Sequence, residues 1–152
     1  MATRNNPFSA FNFMVTLGDI PPSEDQIAAG FSDVSGLGNE IKFSEYRNGN
    51  DKANHVRKIA NVNSTDDVTL KRGVIGDLRL FTWLRETREG VYKPQTVTIT
   101  LLDEARARVC SWVLKNAQAK KIVGPTLAAK GGGEVAMEEL HLVAEQIDFN
   151  SL

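Results

Sequence analysis

The sequence predicts a mainly β fold, an antiparallel β-sandwich or barrel with a single packed α-helix and an extended β-hairpin arm. Three observations carry that expectation. Apolar residues recur at every second position in one segment after another. A single stretch, "GDLRLFTWLRETREG", changes to helical spacing. The segment "EYRNGNDKANHVRK", Glu45 to Lys58, reads as a strand end, a polar tip of turn residues and a basic return strand, with almost nothing to bury at its centre.

The elements follow in order. Phe11, Phe13, Val15 and Leu17 share one face of a first strand. "GDIPPSEDQ" is a loop, since a central strand does not hold two prolines. "AAGFSDVSGLG" is a strand that runs out into glycines, and "EIKFSEYR" sets Ile41 and Phe43 opposite Lys42, Ser44 and Tyr46. "DVTLKRGV" places Val68, Leu70 and Val74 on one face.

In the helical stretch, about 77–89, Asp77 is the expected N-cap, and Leu80, Trp83 or Leu84, and Thr87 recur on one side. Gly90 sits where the helix stops. At ~10–12 residues this helix is too short to stand alone, so it must lie on the sheet. "QTVTITLL" aligns Val97, Ile99 and Leu101, "DEAR" turns the chain, and "RVCSWVLKN" aligns Cys110, Trp112 and Leu114. "AKGGGE" is a connector. The last stretch switches parity twice, from Val135 and Met137 to Leu140, Leu142 and Ala144, then to Ile147 and Phe149. Bulges or bends are therefore expected near Glu138–Glu139 and Glu145–Gln146. The total is about eight strands and one helix in a single domain over 1–152.

Composition bounds the function. With 152 residues, 41% hydrophobic and 24% charged, the chain can bury a real core. A net charge of −1 offers no overall field to nucleic acid or an anionic membrane. The lone Cys110 excludes an internal disulfide. No signal peptide is read at the start and no run reaches transmembrane length, so synthesis in the cytoplasm without stable membrane insertion is expected.

The chemical motifs resolve to structural readings. His55 and His141 lie apart, each without a second ligand at metal spacing. Cys110 alternates with apolar neighbours as a buried core thiol does. Gly131 to Glu134 is followed by a strand, whereas a phosphate loop leads into a helix. Asp103–Glu104 sits in a hairpin turn, where such residues serve the backbone. No catalytic, metal or cofactor residue is assigned, and an enzyme ranks third among the readings.

Charge distribution says more. Lys42 to Lys58 carries net +3, and Glu134 to Leu152 carries −5 with no Lys or Arg. Two solvated faces would explain this. So would complementary patches that meet between copies of the chain, a heterologous contact that closes a ring or grows a filament. Strand edges that one chain leaves open would be paired in the same way.

"NPFSAFNFMVTL", "AAGFSDVSGLG", "EYRNGN", "RKIA", "VTLKRGV", "VTITLLDE" and "GPTLAAKGGGEVAMEELHL" fall in this order. Together they resemble the tail tube protein family, which covers the tubes of contractile-tailed phages and the inner tubes of phage-derived extracellular contractile injection systems. The likeness runs from Asn6 to about Gln146. The chain departs from the family at Ile59, Ala60 and Asn61, where a leucine, proline and glycine are usual. It departs again between Asn116 and Ile122, which lack the usual tryptophan and proline.

The resemblance implies a tail-tube-like fold and no cofactor. It implies hexameric rings that stack into a hollow tube, with strands of six subunits joined around a lumen. The family's hairpin, which bridges subunits and rings, maps onto about 43–66. The expected subunit and ring-stacking interface is Glu45, Tyr46, Arg47, Lys52, Arg57 and Lys58 against Glu134, Glu138 and Glu139. Partners implied are further copies, a sheath protein, baseplate hub and tube-terminating proteins, and luminal cargo or DNA. The mature form is expected in a virion tail or in an extracellular or cytoplasmic contractile particle. A tube-initiating ring protein of the baseplate is the alternative within this class. A nucleic-acid-binding β-barrel is the alternative outside it, disfavoured by the acidic C-terminal stretch and the 7% aromatic content.

Overall fold

The computed structural model describes residues 5–18, 30–74, 76, 78–131 and 133–151. Among the described residues nine strands and one helix follow in chain order: β1 Phe13–Leu17, β2 Phe31–Ser35, β3 Asn39–Tyr46, β4 Arg57–Thr65, β5 Val68–Gly73, α1 Arg79–Arg88, β6 Gln95–Leu102, β7 Arg108–Val123, β8 Met137–Val143 and β9 Gln146–Ser151. All pairings are antiparallel. Seven strands form one sheet in the order β1-β6-β7-β8-β5-β2, with β9 also on β7, and β3 and β4 pair only with each other.

The long strand β7 organises the body. Its first half pairs with β6 and β9, and its second half, Gln118 to Val123, pairs with β8. Between the halves Asn116 adopts a left-handed φ of 52°. Val97 faces Leu114 and Gln95 faces Ala117, so β7 carries one residue more than β6 across this interval. That bulge turns the strand and shifts which parity points inward. Leu114 is buried before it, Ala117 and Ala119 after it. The sheet thus folds over on itself, with Val15, Val97, Ile99, Leu114 and Ile147 from one half meeting Val68, Leu70, Leu140 and Leu142 from the other in one core. The sequence reading ended this strand near Asn116, because a single αL residue leaves no mark in a polarity pattern.

Helix α1 lies on the core through Leu80 and Trp83, as its spacing predicted. Its N-cap position is Leu78, without a side-chain capping bond. The expected cap, Asp77, lies outside the described residues. The C-terminus closes as a Schellman motif at Gly90 (φ 88°), with Gly90 N–H donating to Thr87 O at 3.2 Å and Val91 N–H to Glu86 O at 2.9 Å. Trp83 Nε1 donates to Lys93 O at 3.1 Å and fixes the exit of the chain.

Other expectations change. Strand β1 starts at Phe13, which leaves Phe11 exposed. Strand β5 ends before Val74, itself exposed, and the inward place after Val68 and Leu70 is taken by Arg72. No bulge occurs at Glu138–Glu139: β8 pairs with β5 in unbroken register from Gly73↔Met137 to Val68↔Leu142. What looked like a parity switch is Glu138 pointing inward, in phase with Leu140 and Leu142, to meet Arg72. The second break is present, at Ala144 and Glu145 between β8 and β9. Phe149 does not join Ile147 in the core. It stays exposed, its ring 5.4 Å from that of Trp112.

Candidate functional site: an assembly arm

The chain leaves β2 through Gly36, Leu37 and Gly38 and enters the two-stranded arm. Gly36 has φ 86°, and a Cβ there would lie 2.1 Å from Asp67 O, so only glycine fits. Asp66 N–H donates to Gly38 O at 3.0 Å and closes the root from the other strand. Two bonds tie this root to the body: Asn39 Nδ2 to Ile147 O at 3.1 Å, and Thr65 Oγ1 to Ala144 O at 2.7 Å. The arm strands begin at Asn39, four residues before the expected Phe43.

Beyond the root every residue of β3 is exposed, as are the first seven of β4. Register runs from Asn39↔Thr65 to Tyr46↔Arg57, with a bulge on β4 opposite Lys42. Ile41 and Phe43, two apart on β3, share one face. Ile59 opposes Ser44 and belongs to the other. Ile41, Phe43, Tyr46, Ile59 and Val62 are each between 51% and 68% exposed. The arm is therefore less polar than its sequence read: both faces carry large apolar side chains that the body does not cover. A lone two-stranded ribbon is marginal in water, and a contiguous bare apolar surface marks an interaction site.

The tip is held by its own residues. Asn48 N–H donates to Asp51 Oδ2 at 3.0 Å, and Arg47 donates from Nη2 to Asp51 O at 3.1 Å and from Nε to Ala53 O at 3.2 Å. Arg57 reaches Asp51 at 3.4 Å, Lys58 pairs with Glu45 across the strands, and the Tyr46 hydroxyl bonds Asn48 Oδ1. Lys52 lies exposed in the tip beside His55.

The expected acidic partners sit elsewhere. Glu134 is exposed in the connector, Glu138 is turned to Arg72, and Glu139 pairs with Lys71 at 3.3 Å and with His141 Nε2 at 3.3 Å. Among the described residues no ion pair joins an arm cation to any of these three carboxylates. One chain does not bring the two sets together.

Sequence reasoning missed Arg72, whose signal was its phase with Val68 and Leu70. It also missed the bonds from Asn39 and Thr65 that anchor the root. The remaining motifs are structural. Asp103 Oδ1 accepts from Ala105 N–H at 2.9 Å and Ala107 N–H at 2.8 Å and so builds the turn. Cys110 is buried, and burial pushes its thiol pKa up, away from the reactive thiolate. Among the described residues no group of three His, Cys, Asp or Glu comes together as a metal site, and no helix is long and apolar enough to cross a membrane.

A small β body that carries a two-faced ribbon, hydrogen-bonded at its root and left uncovered beyond it, has the form of a subunit completed by other chains. The T4-like virus tail tube protein gp19 family model matches residues 9–148, and the chain belongs to that family, a family of structural tube subunits. It is similar to a chain of the sheath–tube complex of an extracellular contractile injection system (PVC) in the extended state. Identity there is 25% and the TM-score 0.81, over 97% of this chain and 94% of that one. It is similar in fold to a chain of the anti-feeding prophage tube-terminating cap, at 24% identity and a TM-score of 0.82 over 100% and 96%. Hcp1 from Flavobacterium johnsoniae shares the fold more distantly, at 10% identity and a TM-score of 0.51 over 92% and 95%. No curated protein matches the chain.

Proposed function

We propose that the chain, as one domain, forms hexameric rings that stack into the hollow inner tube of a contractile particle. Sheath contraction drives this tube through a target envelope to deliver cargo or DNA. The protein acts by assembly and not by catalysis. The observation that carries the reading is the arm: a paired two-stranded ribbon, apolar side chains bare on both faces, and a root hydrogen-bonded to the body through Asn39 and Thr65. Similarity to a sheath–tube complex and a tube-terminating cap supports a sheath protein, a cap and a baseplate as partners beside further copies. The particle, a virion tail or an injection system, is the site of the mature protein, after synthesis in the cytoplasm.

Glu45, Tyr46, Arg47, Lys52, Arg57 and Lys58 form the arm's half of the contact. Glu134, Glu138 and Glu139 of a neighbouring copy form the other half, with Glu134 the one that has no ion pair within its own chain among the described residues and Glu138 the one held by the buried Arg72. The arm's own ion pairs do not oppose this: exposed pairs contribute ~0–1 kcal/mol each and exchange partners readily. Purified protein passed over a sizing column and imaged in negative stain tests the reading. Rings or tubes are expected, and a strict monomer at every concentration and salt contradicts it.

A further inference from the structure

The half of the sheet formed by β1, β6, β7 and β9 has two faces of opposite character. One is the core face described above. The other carries hydroxyl side chains in register across the strands, Thr16 with Thr98 and the buried pair Thr100 with Ser111, in rows they share with Met14 and Val113. Its three central rows hold two charged residues, Lys115 and Asp148, which pair with each other at 2.8 Å. Arg108 lies past these rows, at the turn that Asp103 builds.

The tube reading, on which this inference rests, asks which face looks inward. Strands β1 and β9 are the two edges of this half, and among the described residues the arm root meets β9 near Ile147. Neighbouring subunits that extend it edge to edge curve it into a closed wall. The core face already carries the second half of the sheet and α1, a layer stacked ~10 Å away. Such a layer fits on the longer outer circumference and not on the inner one. The hydroxyl face is left for the inside.

We propose that this face is the lumen wall, and that Lys115 and Asp148 balance its fixed charge within each subunit, so that polyanions and polycations pass without being held. A face whose central rows hold uncharged side chains and one cation neutralised in place offers no net field there. A polyanion gains affinity for a protein by binding through fixed cations and releasing its counterions, and among the described residues the central rows of this wall present no unpaired cation.

The test removes one partner. Tubes of the native protein, of Asp148→Asn and of Lys115→Met are assembled with short single-stranded DNA or with a lysine homopolymer. External polymer is then digested by nuclease or protease. Native tubes are expected to shield neither. Asp148→Asn exposes one cation per subunit and should shield DNA about tenfold more than native tubes, with the gain lost as salt rises. Lys115→Met should do the same for the polycation. In parallel, Thr98→Cys should react with a bulky maleimide in the monomer and be refused in the tube, while Phe81→Cys on α1 reacts in the monomer as a control. DNA or polylysine shielded by native tubes, unchanged shielding in both charge variants, or Thr98→Cys open along the tube would each overturn the assignment. If no variant and no native protein forms tubes, it is the tube reading itself that fails.

Discussion

Arg72, 2% exposed, donates its Nε hydrogen to the carboxylate of Glu138, the residue directly opposite it on the neighbouring strand. The pair continues, toward the end of β5, the inward rows that Leu70 with Leu140 and Val68 with Leu142 fill with hydrocarbon. Glu138 is the more exposed partner, so the cost of desolvation falls mainly on the guanidinium. Replacing Glu138 by Ala should destabilise the fold by about 1.5–3 kcal/mol, the range for losing a charge-assisted bond to a buried group. The double change Arg72→Met with Glu138→Leu should cost less than Glu138→Ala alone. Urea unfolding of the monomer reads both, and equal losses would deny that the carboxylate holds the arginine in place.

The arm's direction is set at its root. Gly36→Ala puts a Cβ 2.1 Å from Asp67 O at a left-handed φ, so the backbone has to move. A loss of at least ~1–3 kcal/mol is expected from the strain alone. The loss should be accompanied by poorer assembly even at temperatures where the monomer stays folded. Thermal unfolding and sizing chromatography together check this, and a variant with native stability and native assembly would show that the root does not aim the arm.

Reversing Arg57 and Lys58 to Glu separates folding from assembly. Both side chains are exposed and their partners, Asp51 and Glu45, lie within the arm. Monomer stability should therefore change by no more than ~1 kcal/mol, while tube growth is blocked. Tubes of normal length and salt resistance from this variant would exclude the proposed contact with Glu134, Glu138 and Glu139 of a neighbour.

Asp148 has a lowered pKa, first because Lys115 hydrogen-bonds its carboxylate and then because Gln146 does, at 2.7 Å. A carboxyl whose folded pKa is depressed adds stability above its unfolded pKa, and that stability is lost as pH falls through the folded value. Lys115→Ala should move the Asp148 midpoint up toward the ordinary carboxylate range while Gln146 keeps part of the shift. Carbon-detected NMR titration of the side chain measures it. An unmoved midpoint would mean that the ion pair does not persist in solution.

Much of the fold was legible because burial follows period. Leu80 and Trp83 announced the helix face, Val97 and Ile99 the central strand, and Gly90 the helix stop. The failures have local causes. Asn116 bends β7 through one left-handed residue, which no hydropathy pattern records. Glu138 looked like a change of parity because its partner, Arg72, lies 66 positions away in the sequence. The arm was legible from its polar tip, yet Ile41, Phe43, Ile59 and Val62 passed as ordinary strand residues until the structure left them uncovered. Whether the acidic residues of a neighbour meet the arm is a matter of contacts between chains, which the pattern of one sequence does not record.

Amide hydrogen exchange of β3 and β4, compared in the monomer and in the assembled particle, tests the role of the arm most directly. Fast exchange in the monomer and strong protection on assembly are expected there, with β6 and the first half of β7 protected in both states. An arm that is equally protected in the monomer, or that still exchanges freely once assembled, contradicts the claim that other copies of the chain complete it.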